Sequence, residues 1–163
     1  ENRNGLRNHD EIRLWADYLN DSAPRYLVDD QGTRGGLGAD RLFIILGDQN
    51  ADPVDGDSSD RAIHQLLSHP RVNPATATGR WIPRSHGGVE NNQRPTHRGD
   101  PGHDTAEWGL RVDYVLPSTE LLVVESGVFW PRAKTKHARL VATENERPVS
   151  SDHRLVWVDL KRP

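Results

Sequence analysis

The chain has 163 residues, a formal net charge of -3, and neither cysteine nor methionine. Without cysteine there is no disulfide framework, thiolate metal site or thiol nucleophile, and no run approaches the ~18 apolar residues of a membrane span. An isoelectric point near 6.2 leaves no basic footprint for holding nucleic acid by charge alone, so any contact with DNA or RNA must be local or metal-mediated.

The length suits one domain burying roughly 70% of its unfolded surface. With 34% hydrophobic residues and a mean hydropathy of -0.79, the few apolar runs must be used efficiently. The first residues, Glu1-Asn2-Arg3-Asn4-Gly5, do not form a signal-peptide pattern and read as loop. Asn8–Leu19 then predicts a helix. Asn8 and Glu11 fit a capping box, Ile12, Trp15, Ala16 and Leu19 share one face, and Asp21-Ser22-Ala23-Pro24 stops it. A short strand at Tyr26–Val28 is turned by Asp29–Gly32.

Leu42–Leu46 is apolar without alternation, which predicts a strand covered on both faces. Ser58 or Ser59 can cap a second helix to about Leu67, with Ala62, Ile63, Leu66 and Leu67 inward. Residues 71–110 read as a long polar loop, of the kind that tends to be functional or mobile. Strands return at Val112–Leu116, Leu121–Val124, Val128–Trp130 and Leu155–Leu160, with a polar connection over 131–150. The fold class is α/β, with mostly antiparallel strands in one sheet flanked by the two helices.

Polar residues interrupt these strands in three places: Gly47-Asp48-Gln49-Asn50, Arg111-Val112-Asp113-Tyr114, and Ser151-Asp152-His153. Asp48 and Asn50 share a face if the strand stays extended; otherwise they are ordinary turn formers. Asp113 lies within an apolar strand, where an unpaired carboxylate would cost several kcal/mol. A structural reading pairs it with Arg111 or Arg154. Asp152 and His153 face opposite ways on an extended strand, but both can reach one pocket where a strand begins.

Within 71–110, Arg98 could clamp a phosphate with help from His97, and Trp81 and Trp108 could stack on a base or fill core gaps. The acidic series from Asp48 to Asp60 fails as an EF-hand, because Pro53 stands where glycine is needed and Ser59 where glutamate is needed.

In this order the blocks Gly47-Asp48-Gln49-Asn50-Ala51-Asp52-Pro53, Arg111-Val112-Asp113-Tyr114-Val115-Leu116 and Ser151-Asp152-His153 resemble the C-terminal half of the endonuclease/exonuclease/phosphatase, or DNase I-like, superfamily. Arg7–Ile12 and Asp55–Ser58 resemble a bacterial, often secreted branch of it, which leaves localisation open. The resemblance implies half of a four-layer α/β/β/α sandwich, with the N-terminal half, its metal-binding Glu, an Asn and usually a second His absent from this chain. It also implies that Asp48 and Asn50 orient the attacking water and contribute to the metal site, that Asp152 holds the metal, that Asp113 orients, and that His153 contacts the scissile phosphate. The implied cofactor is Mg²⁺, or Mn²⁺ or Ca²⁺ in its place. The leading substrate is a phosphodiester, DNA or RNA. Alternatives are a phosphomonoesterase or inositol/lipid phosphatase, and an inactive fragment that binds metal or phosphate or docks its missing half.

Overall fold

The computed structural model describes residues 3–20, 22, 25–92, 94–144 and 147–162. Helix α1 spans Arg3–Leu19 and buries Ile12, Ala16 and Leu19, as their spacing dictates. It begins five residues before the expected cap, so Asn8 lies inside the helix and the capping box does not form. Glu11 instead pairs with Arg7 one turn earlier at 3.2 Å. Trp15 is 44% exposed rather than inward. Part of the expected stop, Asp21, Ala23 and Pro24, lies outside the described residues. The predicted turn beyond it forms: Val28 bridges Arg34, while Asp29 Oδ1 accepts from the Gln31 and Thr33 amides at 2.9 and 2.8 Å.

Strand β1 (Ile44–Asp48) runs antiparallel to β2 (Asp113–Pro117), with Ile44 opposite Pro117, Leu46 opposite Val115 and Asp48 opposite Asp113. Ile45, Tyr114 and Leu116 face inward, against Ile12, Leu19, Ile63 and Leu66. The outer face differs from expectation. Leu42, Ile44 and Leu46 are 43%, 45% and 66% exposed, so within this chain β1 is covered on one face only.

The second helix is interrupted. Asp60 and Arg61 adopt φ of 47° and 53°, a region costly for non-glycine residues. They fall within a 3₁₀ turn, Ser59–Arg61, that precedes α2 (His64–Leu67). The four expected inward residues are nonetheless all buried. Residues 71–110 are not one loop. They hold α3 (Pro74–Ala77), capped by Asn73, and α4 (His86–Asn91), capped by Ser85. Helices this short leave little periodicity to read, although their caps are ordinary N-cap residues.

Strand β3 (Leu122–Phe129) joins the two strands expected separately, with a bulge between Val123 and Glu125, and pairs antiparallel with β6 (Leu155–Lys161). Between them β4 (Thr143–Glu144) and β5 (Arg147–Pro148) form a small hairpin within the expected connection. The strands therefore pair as separate two-stranded ladders, with β2 lying against β6, rather than as one continuous ladder. The architecture is α/β, antiparallel, with helices on the inner face of β1–β2, consistent with part of the expected sandwich.

Arg71 ties this layer together. Its guanidinium donates to the carbonyls of Leu19, Leu37, Gly38 and Arg41 at 2.8–3.0 Å and lies 5.5 Å from the Phe43 ring centre. Arg71→Ala should remove about 2–4 kcal/mol, read as a drop of about 5–10 °C in thermal midpoint.

Candidate active site

The register of β1 against β2 sets the first part of the site. Directly opposed residues share a sheet face, so Asp48 and Asp113 project together from the exposed side. Around Asp48 the chain departs from regular strand geometry. Gly47 has φ of 129° and Asn50 of 47°, and the Asn50 amide donates to Asp48 Oδ1 at 2.6 Å. Asp48 and Asn50 are therefore brought together by a turn, not by strand alternation. Turn-forming occupies one oxygen of Asp48 and does not remove the carboxylate from the site.

His153, just before β6, bridges to Ala106. Its Nδ1 lies 2.9 Å from Asp113 Oδ2. The same oxygen accepts from the Thr105 hydroxyl at 2.7 Å, and Thr105 Oγ1 accepts from the Val112 and Asp113 amides at 3.0 Å. Asp113 is thus partnered by His153 and Thr105, and neither arginine is involved. The buried Arg111 guanidinium donates to the Thr76 and Ala77 carbonyls and lies 4.6 Å from the Tyr114 ring centre. Arg154 reaches Glu107 at 3.6 Å and the Trp130 ring at 4.7 Å.

Asp48, Asp113 and His153 each offer a ligand atom, all within 4.8 Å of one another. Asp152 is outside this trio. It is exposed, and its backbone carbonyl accepts from the Glu107 amide. Its charge still reaches the site. Burial acts to lower the His153 pKa, but the bond and charge of Asp113, with Asp48 and Asp152 adding, outweigh it and hold the imidazole above its ordinary value.

A sequence model of the endonuclease/exonuclease/phosphatase family matches residues 3–153. The chain belongs to that family. Its members are in general hydrolases of phosphoester bonds and typically depend on a divalent metal. No curated protein and no solved structure matches the chain significantly. The trio fits such a metal by donor chemistry: two carboxylates on one sheet face repel each other unless a cation sits between or beside them, and oxygen donors suit a hard ion. The His153 nitrogen facing Asp113 is already hydrogen-bonded, which leaves the carboxylates as the better ligands.

His97 and Arg98, expected to contact substrate in this family member, lie elsewhere. The His97 side chain is 4% exposed. Its Nε2 is 3.0 Å from Asp104, and its Nδ1 is 3.4 Å from Asp55 and 3.1 Å from the Gly99 carbonyl. A ring enclosed in this way has no edge left for a phosphate, and none of the trio lines the adjacent cavity of about 270 Å³. Arg98 bonds to the Val54 carbonyl and to Asp55. The cluster therefore fastens the 97–104 segment to the 52–55 turn, directly before Thr105. Trp108 is 41% exposed and stands edge-on to His153, 5.1 Å between ring centres. Trp81 stacks with Arg80.

Sequence reading missed Thr105. Its only signal was a hydroxyl in a polar loop, although its partners Val112 and Asp113 lie only seven and eight residues on. Thr105→Val should leave buried amides and Asp113 Oδ2 short of a partner and cost about 2–3 kcal/mol, with Thr105→Ser recovering most of it in denaturant unfolding. A second outcome concerns Asp104, which burial pushes up to about 6 although His97 pulls the other way. The folded chain then keeps a proton that the unfolded chain has released, so stability falls as pH rises from about 4 to about 6. Against Asp104→Asn, wild type should lose up to about 2–3 kcal/mol across that window.

Proposed function

We propose that this chain supplies much of the catalytic site of a metal-dependent phosphodiesterase, a nuclease acting on DNA or RNA. The observation that carries this is the convergence of Asp48, Asp113 and His153 from segments distant in sequence into one cluster. Asp113 accepts from His153 Nδ1, which places the ring proton there and leaves Nε2 on the far side of the ring from Asp113. When the ring takes up a second proton, Nε2 can donate to a phosphoryl oxygen as charge accumulates on it. Asp48 is the base or orienting acceptor for the attacking water, and Asn50 fixes a phosphate oxygen with its amide, which makes no side-chain hydrogen bond among the described residues. A divalent ion, Mg²⁺ or a similar hard cation, would be held by Asp48 and Asp113 with Asp152 nearby, and when bound it would supply Lewis-acid stabilisation of the phosphoryl charge.

The raised His153 pKa supports a donor role near neutral pH. Trp108 against His153 offers an aromatic edge to a substrate with a flanking base, which favours a nucleic acid over an inositol phosphate.

A second reading concerns completeness. Leu42, Ile44 and Leu46 lie exposed on the face that carries Asp48. We propose that the other half of the sandwich covers this face and brings further ligands to the metal, so that the present residues alone hydrolyse slowly or not at all.

Plasmid DNA, inositol phosphate and p-nitrophenyl phosphate, each with Mg²⁺ or with EDTA, separate these readings. Cleavage of DNA that EDTA abolishes, and that Asp48→Asn or His153→Ala lowers by about 100-fold or more, is the expected result. Preference for either monoester replaces the nuclease reading with a phosphatase. Activity that appears only when the remainder of the domain is supplied supports the second reading.

A further inference from the structure

Asn8 is an unexpected residue for its place. It sits inside α1, where asparagine is a poor helix former, and its Oδ1 is buried without a hydrogen-bond partner among the described residues. An orphaned buried acceptor costs roughly 1–3 kcal/mol. Leucine at the same position would satisfy the helix and remove that cost. The compensating contact is a single bond to the turn after β1: Asn8 Nδ2 donates to the Gln49 carbonyl at 2.8 Å, across 41 residues of sequence.

That carbonyl belongs to the peptide linking Gln49 to Asn50. The other constraints on the turn are the Gln49 amide to the Val112 carbonyl at 2.8 Å and the Asn50 amide to Asp48 Oδ1 at 2.6 Å. Asn50 is held at φ of 47°, a conformation that costs energy and persists only where its surroundings enforce it. Fixing the Gln49 carbonyl fixes the plane of that peptide, and with it the direction from which the backbone enters Asn50. The same turn and Asn8 also line a cleft of about 410 Å³ between α1 and the sheet end.

We propose that Asn8 is a positioning residue: from α1 it holds the Asp48–Asn50 turn in its strained form, at the expense of helix stability. This rests on the reading of that turn as part of the hydrolytic site. Among the described residues no hydrogen bond joins Asn8 to Asp48, and its side chain bonds to the Gln49 carbonyl instead.

The test compares wild type, Asn8→Leu, Asn8→Gln and, as a control on the site itself, Asp48→Asn. The substrate is bis-p-nitrophenyl phosphate with Mg²⁺, and amide hydrogen exchange is measured in parallel on the same proteins. The expected result is that Asn8→Leu keeps or raises the thermal midpoint yet lowers kcat by about 10–100-fold with little change in KM, the scale of a small misplacement. Exchange at the Gln49 and Asn50 amides should speed up at least about 10-fold while the Ile45 and Tyr114 amides are unaffected, and Asn8→Gln should recover part of both effects. Wild-type kcat and unchanged exchange in Asn8→Leu overturn the proposal. If Asp48→Asn matches wild type, the hydrolytic reading of the turn fails. The exchange data then still decide whether Asn8 holds it.

Discussion

The antiparallel register that sets Asp48 opposite Asp113 is the constraint from which the site follows. Two carboxylates directly across a ladder repel, and a slip of one residue would send one of them to the opposite face. The register is held by the inner face, where Ile45, Tyr114 and Leu116 can be buried against the helices only in this alignment. Hydrophobic burial on one side of the ladder thus enforces an electrostatically unfavourable pair on the other. His153 beside Asp113 is one partner that makes the arrangement tolerable, and the donor atoms of the trio suit a divalent cation as another.

A chain this polar cannot build its layers from apolar contacts alone, and arginines take up part of that task. Arg71 draws the end of α1 and the 37–41 segment onto the core, and Arg111 anchors the end of α3 through the carbonyls of Thr76 and Ala77. Each guanidinium presents donors in a fixed fork that satisfies several carbonyls at once. Irregular backbone can then be buried without leaving acceptors unpaired. The same economy appears at the site, where one threonine hydroxyl serves two amides and a carboxylate.

The legible elements were those with local periodicity or a motif. The apolar face of α1 showed in Ile12, Ala16 and Leu19, and the inward residues of the second helix in Ala62, Ile63, Leu66 and Leu67. The family blocks pointed to Asp48, Asp113 and His153, whose ligand atoms lie within 4.8 Å of one another, and to Asp152, which lies outside that group. Illegible were the features whose cause is remote. Asn8 looked like a cap because a side-chain amide beside a helix start usually is one, and its partner lies far along the chain. His97 looked like a phosphate contact because its loop is polar, while the carboxylates that enclose it come from Asp55 and Asp104 on either side. The apolar run before Asp48 implied cover on both faces, yet the outer face stands open in this chain.

By itself, the order of residues determined which chemistry was available: carboxylates, an amide and an imidazole at strand ends, no thiol, and enough apolar periodicity for an α/β layer. Only the tertiary structure decided which of those groups meet. That choice depends on ladder register and on long-range bonds such as His153 to Asp113 and Asn8 to Gln49. Such contacts are selected by the burial of the whole inner face, a sum over many residues that no single segment encodes.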